Sequence, residues 1–353
     1  ALESALGTDG GLSYDPGFMH SARFMQYMTA PSGDSFCFYD SPITAESNMM
    51  MFWFAKKTND LSILSLEKKY LEEADTRFAE DRLLPSLIIF ASDIDFNEIK
   101  APKDSFWFNK GETPVYIYRE GWQNATDTYL GLKGGSPSTS HGHMDAGSFV
   151  FEKDGVRWAM DLGMQAYYNL ENKGIDLWNM NQDGQRWDVF RLNNMAHNTL
   201  TINKGRHLVN SFAPITKIFM SDDLKGGQVN LSSTFANSLK GAIRTIQLDN
   251  ENNLVISDCM STQEEKDAEV MWVMVTSADA KVIDQRSIEL SKNGKKMLLT
   301  VDSSITVTMK TWSNEPKIFF DSPNPGTIRI GFETTVPQNT EETFNLQLKT
   351  LNN

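Results

Sequence analysis

The sequence holds only two cysteines, Cys37 and Cys259, and they stand far apart. Two such thiols build no disulfide framework and match no metal spacing, so buried free thiols are the expectation, and they do not report a redox compartment. No run of 18 or more apolar residues occurs. The richest stretch, Asn48 to Ala55, is far too short to span a bilayer. A signal-peptide pattern is missing as well. The opening ALESALGTDGGL reads instead as the end of a helix stopped by glycines, which suggests a chain that begins mid-protein. Basic charge is scarce: 33 Lys and Arg stand against 46 Asp and Glu, a net charge of −13. Nucleic acid is therefore a poor partner, because neutralising phosphates takes clustered Lys and Arg. A polyanion held in a locally basic groove stays open.

What is present is an ordinary globular composition, 40% hydrophobic and 22% charged, over 353 residues, enough for two domains. From Ala1 to about Ala101 the pattern is helical. Thr44 is a candidate N-cap for a buried helix through Met49–Phe54, Asp60 caps the next, and Pro85 starts or kinks a third. These helices are too few to close a bundle. Near Lys103 the period changes. FWF at 106–108 and VYIYR at 115–119 flank a hairpin turn, and Lys153-Asp154-Gly155 turns between FVFE and VRWAMDLG. Strands recur about every ten residues to the end, with LWNM at 177–180 as at most a short turn. The spacing predicts a helical segment over 1–103 and a large antiparallel β-sandwich over 104–353.

The chemistry concentrates between His141 and His197. Three of the five histidines lie there, with Asp145 and Asp161 among them. In an extended segment His141 and His143, two apart, share one face, and two imidazoles with a carboxylate suit zinc. The competing reading is hydrogen-bonded histidines and a strand-end aspartate. With a simple two-residue hairpin at 153–156, Asp161 falls opposite Ser148, on the face away from His143, so a metal site needs a bulge or curl at Gly142 or Gly147. Tyr167 and Tyr168 read as core or as catalytic. Trp178, Trp187, Arg186 and Arg191 are either structural or contacts to an acidic sugar. His20 and His207 have no evident partner.

At this segment the chain resembles the heparinase II/III-like family of polysaccharide lyases. The resemblance is carried by His141-Gly-His143-Met-Asp145-Ala-Gly147-Ser-Phe149, Trp158-Ala-Met-Asp161-Leu-Gly163, Arg186-Trp187 and Ala196-His197-Asn198-Thr199-Leu200. Upstream, Gly11-Leu12, Pro16-Gly17-Phe18 and Pro31-Ser-Gly33 through Asp40 add to it. It implies an incomplete (α/α) toroid joined to antiparallel β-sheets, an α+β multidomain chain with a substrate canyon between the two parts. It also implies cleavage of an acidic, uronic-acid polysaccharide by β-elimination. Carried over residue by residue, it makes His143, Asp161 and His197 the ligands of a structural Zn2+ and His141 the active-site histidine. A tyrosine from the β domain lines the canyon; Tyr168 is the choice for catalysis, with Tyr167 beside it. Arg186, Trp187 and Arg191 are the expected substrate contacts.

In that family further catalytic groups come from toroid helices before the Gly11–Phe18 motif. A chain starting here is therefore expected to lack part of the catalytic equipment. A periplasmic or secreted enzyme fits the substrate class. Two other readings stand beside it. One is a non-catalytic glycan-binding protein on the same scaffold, in which His141 has no task. The other is a zinc hydrolase, which needs a carboxylate over a metal-bound water, for which Asp145 is the only near candidate.

Overall fold

A computed structural model describes residues 2–73 and 82–351. The leading helix Leu2–Leu6 ends at Gly7 with φ +68°, as the glycines imply. Helix Pro16–Met28 has Pro16 in its first turn, and the Asp15 carboxylate accepts from Phe18 N. Thr44 caps nothing: it pairs in an isolated bridge with Asp34, and the helix beyond it begins at Met51, where Met50 gives no side-chain cap. Asn48 takes the early donor instead, its Oδ1 accepting from Met50 N. Asp60 does cap, accepting from Ser62 N ahead of helix Ser65–Glu72. Pro85 sits in the first turn of helix Leu84–Ala91. None of the described helices is long and apolar enough to cross a membrane.

From Phe106 onward the chain is built mostly of strands. β1 (Phe106–Asn109), β2 (Val115–Arg119), β3 (Tyr129–Lys133), β4 (Phe149–Lys153) and β5 (Val156–Ala159) form an antiparallel meander. After β6 (Leu200–Ile202) come β7 (Ile215–Met220), β8 (Lys225–Asn230), β9 (Leu239–Leu248), β10 (Leu254–Thr262) and β11 (Ala268–Thr276). The remainder is β12 (Asp279–Asp284), β13 (Ser287–Lys292), β14 (Lys295–Asp302), β15 (Thr308–Ser313), β16 (Ile328–Val336) and β17 (Glu341–Thr350). An eight-stranded sheet runs β12-β13-β14-β17-β10-β9-β8-β7, and a four-stranded sheet runs β15-β16-β11-β6.

Strands β2 to β5 of the first sheet are buried on both faces, and the period of two sorts their side chains. Tyr116, Tyr118, Leu130 and Leu132 enter one continuous core with Ile246, Ile256, Trp272 and Phe332 of the other sheets. Val115, Ile117, Tyr129 and Val150 point the other way, onto Tyr27, Met28 and Phe36. Gly131 is glycine because a Cβ there would stand 2.6 Å from the Phe36 ring. This second face fastens the segment after helix Pro16–Met28 to the sheet. Arg157 donates to the Ser35 and Asp34 carbonyls, Arg119 to Thr29 O, and Ser32 to the Glu152 carboxylate. Asp40 is thereby brought over the loop between β3 and β4.

The hairpin that decides where Asp161 faces is not simple. Lys153 pairs with Val156 across Asp154 and Gly155, both at positive φ, which is the expected tight turn. The register then slips: Glu152 pairs Arg157, but Phe151 pairs Ala159. One extra residue at Trp158 is a β-bulge, and it reverses the face of the residues beyond it. The irregularity includes this bulge in β5, which the spacing does not announce, beside a turn at Gly142 and a left-handed Gly147.

Inside the sandwich, Arg244 meets Asp258 through two hydrogen bonds of 2.7 and 2.8 Å, and Trp272 Nε1 donates to the same carboxylate. The other arm of Arg244 donates to Gly147 O and Asn198 O. It ties both histidine-bearing loops to the eight-stranded sheet. His207 is also fully buried, donating from Nε2 to Leu200 O and packing edge-on to Phe235. Burial, foremost, drops its pKa to about 3, against a weaker opposing effect of the Leu200 carbonyl. Below about pH 6.5 the unfolded chain takes up a proton that the native chain refuses, so stability falls as pH falls from there toward 3. The cost from this side chain is about 2 kcal/mol at pH 5. Urea unfolding of wild type and His207→Gln at pH 7.5 and 5 should show a smaller acid loss in the variant; equal losses would refute this account.

Candidate active site

His141, Gly142 and His143 are not extended. They close a turn in which Gly142 N bonds Thr139 O at 2.7 Å, and His141 sits at φ +61°. A Cβ on Gly142 would lie 2.5 Å from Pro137 O, so only glycine allows the turn. The two imidazoles do converge, but on a carboxylate. His141 Nδ1 lies 2.8 Å from Asp40 Oδ2, and His143 Nε2 lies 3.2 Å from Asp40 Oδ1. Tyr167 donates its hydroxyl hydrogen to the same Oδ2.

Tyr167 stands in helix Tyr167–Glu171, which the strand pattern does not announce. Its ring stacks on His141, with centroids 5.9 Å apart and planes 11° apart, and its oxygen is 3.2 Å from His141 Nδ1. Buried Arg186 donates to that oxygen from both terminal nitrogens at 3.3 Å and to Gly142 O at 2.9 Å. Burial and the bond to Asp40 push the Tyr167 pKa up to about 12, with Arg186 pulling the other way, so the phenol keeps its proton. Burial opposes ionisation of Asp40, but the bonds from His143 and Tyr167 outweigh it and hold the carboxyl below its usual range.

Beneath this lies His197, whose Nδ1 is 2.8 Å from Asp161 Oδ2, with both side chains buried. Burial resists protonation of His197, yet the Asp161 charge prevails and raises its pKa; Asp161 is correspondingly lowered against its own burial. The His143 and His197 rings are 5.5 Å apart. Burial lowers the pKa of His143, with the Asp40 bond insufficient to restore it. The loop carrying His197 is clamped by Asn198, which donates to Phe149 O and Met160 O and accepts from Val275 N.

These residues match a zinc ion in kind. Two imidazoles and a carboxylate lie together in the interior, and His143 Nδ1 and His197 Nε2 have no hydrogen-bond partner. Among the described residues no group of three His, Cys, Asp or Glu side chains converges as a ready metal site. Seating an ion would thus require these side chains to re-aim.

The other expected residues divide sharply. Tyr168 is 73% exposed and makes no contact with His141; the tyrosine at the histidine is Tyr167, because the helix turns its neighbour outward. Trp187 is wholly buried, donating to Asn181 O, and offers no face to a sugar. Arg191 spends its donors on Asn324, Met164 O and Pro323 O, a strap between loops. Arg186 faces Tyr167, beneath the surface. Asp145 is locked 2.5 Å from Lys133 in a buried pair, so it is not poised over a water. Asp40, the hub, is the residue that sequence reasoning leaves without a role, since no local spacing joins it to a histidine 101 residues away.

The family model described as heparinase II/III-like, C-terminal, matches residues 102–330. A mutant of heparan sulfate lyase HepC from Pedobacter heparinus superposes with a TM-score of 0.66 at 15% identity, covering 97% of this chain and 48% of that one. Unmutated HepC from the same organism gives 0.66 at 14%, with 97% and 47% covered. A heparinase III structure gives 0.65 at 13%, with 96% and 49% covered. Such identities show the shared fold, and the chain spans about half the length of these proteins. No curated protein matches the chain. The family match covers well over half of the sequence, and the chain belongs to the heparinase II/III-like family.

Proposed function

We propose that this protein is a polysaccharide lyase that cleaves a uronic-acid-containing polysaccharide by β-elimination, outside the cytoplasm, with its toroid completed by further helices. The observation that carries this reading is the group around Asp40: a half-exposed histidine, fixed through one nitrogen, stacked on a protonated tyrosine. A proton on C5, α to a carboxylate, is weakly acidic and needs a base held in hydrogen-bond reach. Asp40 is an ionised acceptor, so it selects the His141 tautomer with the proton on Nδ1 and leaves the Nε2 lone pair for substrate. His141 takes the C5 proton, the C4–C5 double bond forms and the C4–O bond breaks. Tyr167 supplies a proton to the departing oxygen, and Arg186 stabilises the phenolate left behind. A zinc ion held by His143, Asp161 and His197 would supply structural order, fixing the turn that aims His141.

The test is a panel of uronic-acid polysaccharides followed by ultraviolet absorbance of the 4,5-unsaturated product, alongside calorimetric binding. Absorbance that rises with at least one glycan is the expected result for protein that carries the proposed completing helices. Binding without absorbance from the full chain would favour a glycan-binding role, and hydrolysis without a new double bond would refute elimination.

A further inference from the structure

The site has a wall that the chemistry above does not use. Trp178 is 59% exposed, whereas Trp158, Trp187 and Trp272 are fully buried. The loop that carries it needs no help from this side chain to stay packed, because its neighbour Leu177 is the buried anchor, set among Leu170, Val189 and Leu192. The exposed indole is nonetheless held in place. Its Nε1 donates to Glu171 Oε1 at 2.9 Å, from the same helix that carries Tyr167. Its ring stands at 84° to His141 with centroids 6.0 Å apart, and at 89° to Tyr167 with centroids 5.1 Å apart. The stacked His141–Tyr167 pair and Trp178 thus form two sides of a corner.

We propose that Trp178 is the platform on which one sugar ring of the polysaccharide stacks beside His141, making it a specificity-determining residue of the elimination proposed above, on which this inference rests. A pyranose presents a face of C–H groups, and a rigid indole with its polar end tied down gives that face a large partner at small entropic cost. The ring plane then fixes the height of the sugar against His141 Nε2. Glu171 acts as the positioning residue that keeps the indole from turning.

Steady-state elimination by the full chain distinguishes the possibilities. Trp178→Ala should raise KM roughly 10- to 50-fold, the range of an aromatic anchor lost from a binding site, with kcat changed far less. Trp178→Phe should recover most of that loss, and Glu171→Ala should give an intermediate KM. Thermal midpoints of all three should stay near wild type, since the indole is not in the core. Oligosaccharide binding should quench tryptophan fluorescence in wild type more than in Trp178→Phe. Turnover by wild type with an unchanged KM in Trp178→Ala would overturn the platform and leave the lyase reading standing. Neither binding nor unsaturated product from wild type with any uronate glycan would overturn both.

Discussion

Replacing His141 by alanine is expected to lower the rate of unsaturated-product formation by about 10²- to 10⁴-fold, the usual contribution of a positioned general base. KM should move little, because the lost group acts on the C5 proton and not on the remote sugar rings. The fold should survive. His141 is half exposed, packs against Tyr167 and Trp178 from outside, and lies in no core cluster. Its left-handed backbone, at φ +61°, is better suited to glycine than to alanine, so His141→Gly is the cleaner control. Asp40→Asn should reproduce part of the loss: the amide can present its NH2 to Nδ1, favouring the opposite tautomer and moving the lone pair away from substrate. Full-rate elimination by His141→Gly, measured by ultraviolet absorbance on a folded protein, would remove the base assignment.

Why the sequence disclosed the region but not the arrangement depends on the range of each signal. Hairpins are local. Asp154-Gly155 fixes the turn and the register of the two pairs beside it, Lys153 with Val156 and Glu152 with Arg157. The bulge at Trp158 is equally local but leaves no composition mark, and it shifts the face of the residues leading to Asp161, which meets His197. A curl at Gly142 is legible from the glycine, but its consequence for the two histidines is not, because His-x-His suits extended and turned geometry alike. Helix Tyr167–Glu171 is five residues long, too short for a helical period to show. Asp40 is the farthest case. Its place depends on Arg157 and Glu152 gripping residues 32–35 from the sheet, a contact between segments more than 100 residues apart.

The second large effect concerns the buried His143, Asp161 and His197. If they hold zinc, as the unpartnered His143 Nδ1 and His197 Nε2 favour, purified protein should carry about one zinc per chain, and His143→Ala, Asp161→Asn or His197→Ala should lose it. Stability alone cannot make this distinction. His197→Ala strands the Asp161 charge in the interior and should cost about 3–5 kcal/mol whether or not a metal is bound. The discriminating comparison is chelation. A resident ion stabilises the native state by its binding free energy, about 2.7 kcal/mol at a hundredfold excess over Kd, so a chelator should lower the wild-type unfolding midpoint. The same chelator should leave His143→Ala where it is, because that variant has already lost a ligand. A hydrogen-bonded cluster without metal predicts wild-type midpoints indifferent to both chelator and added zinc, and metal content unchanged in His143→Ala would remove the zinc assignment. In that event the His197–Asp161 pair would still brace the loop beneath His143, and Asp40 alone would aim His141.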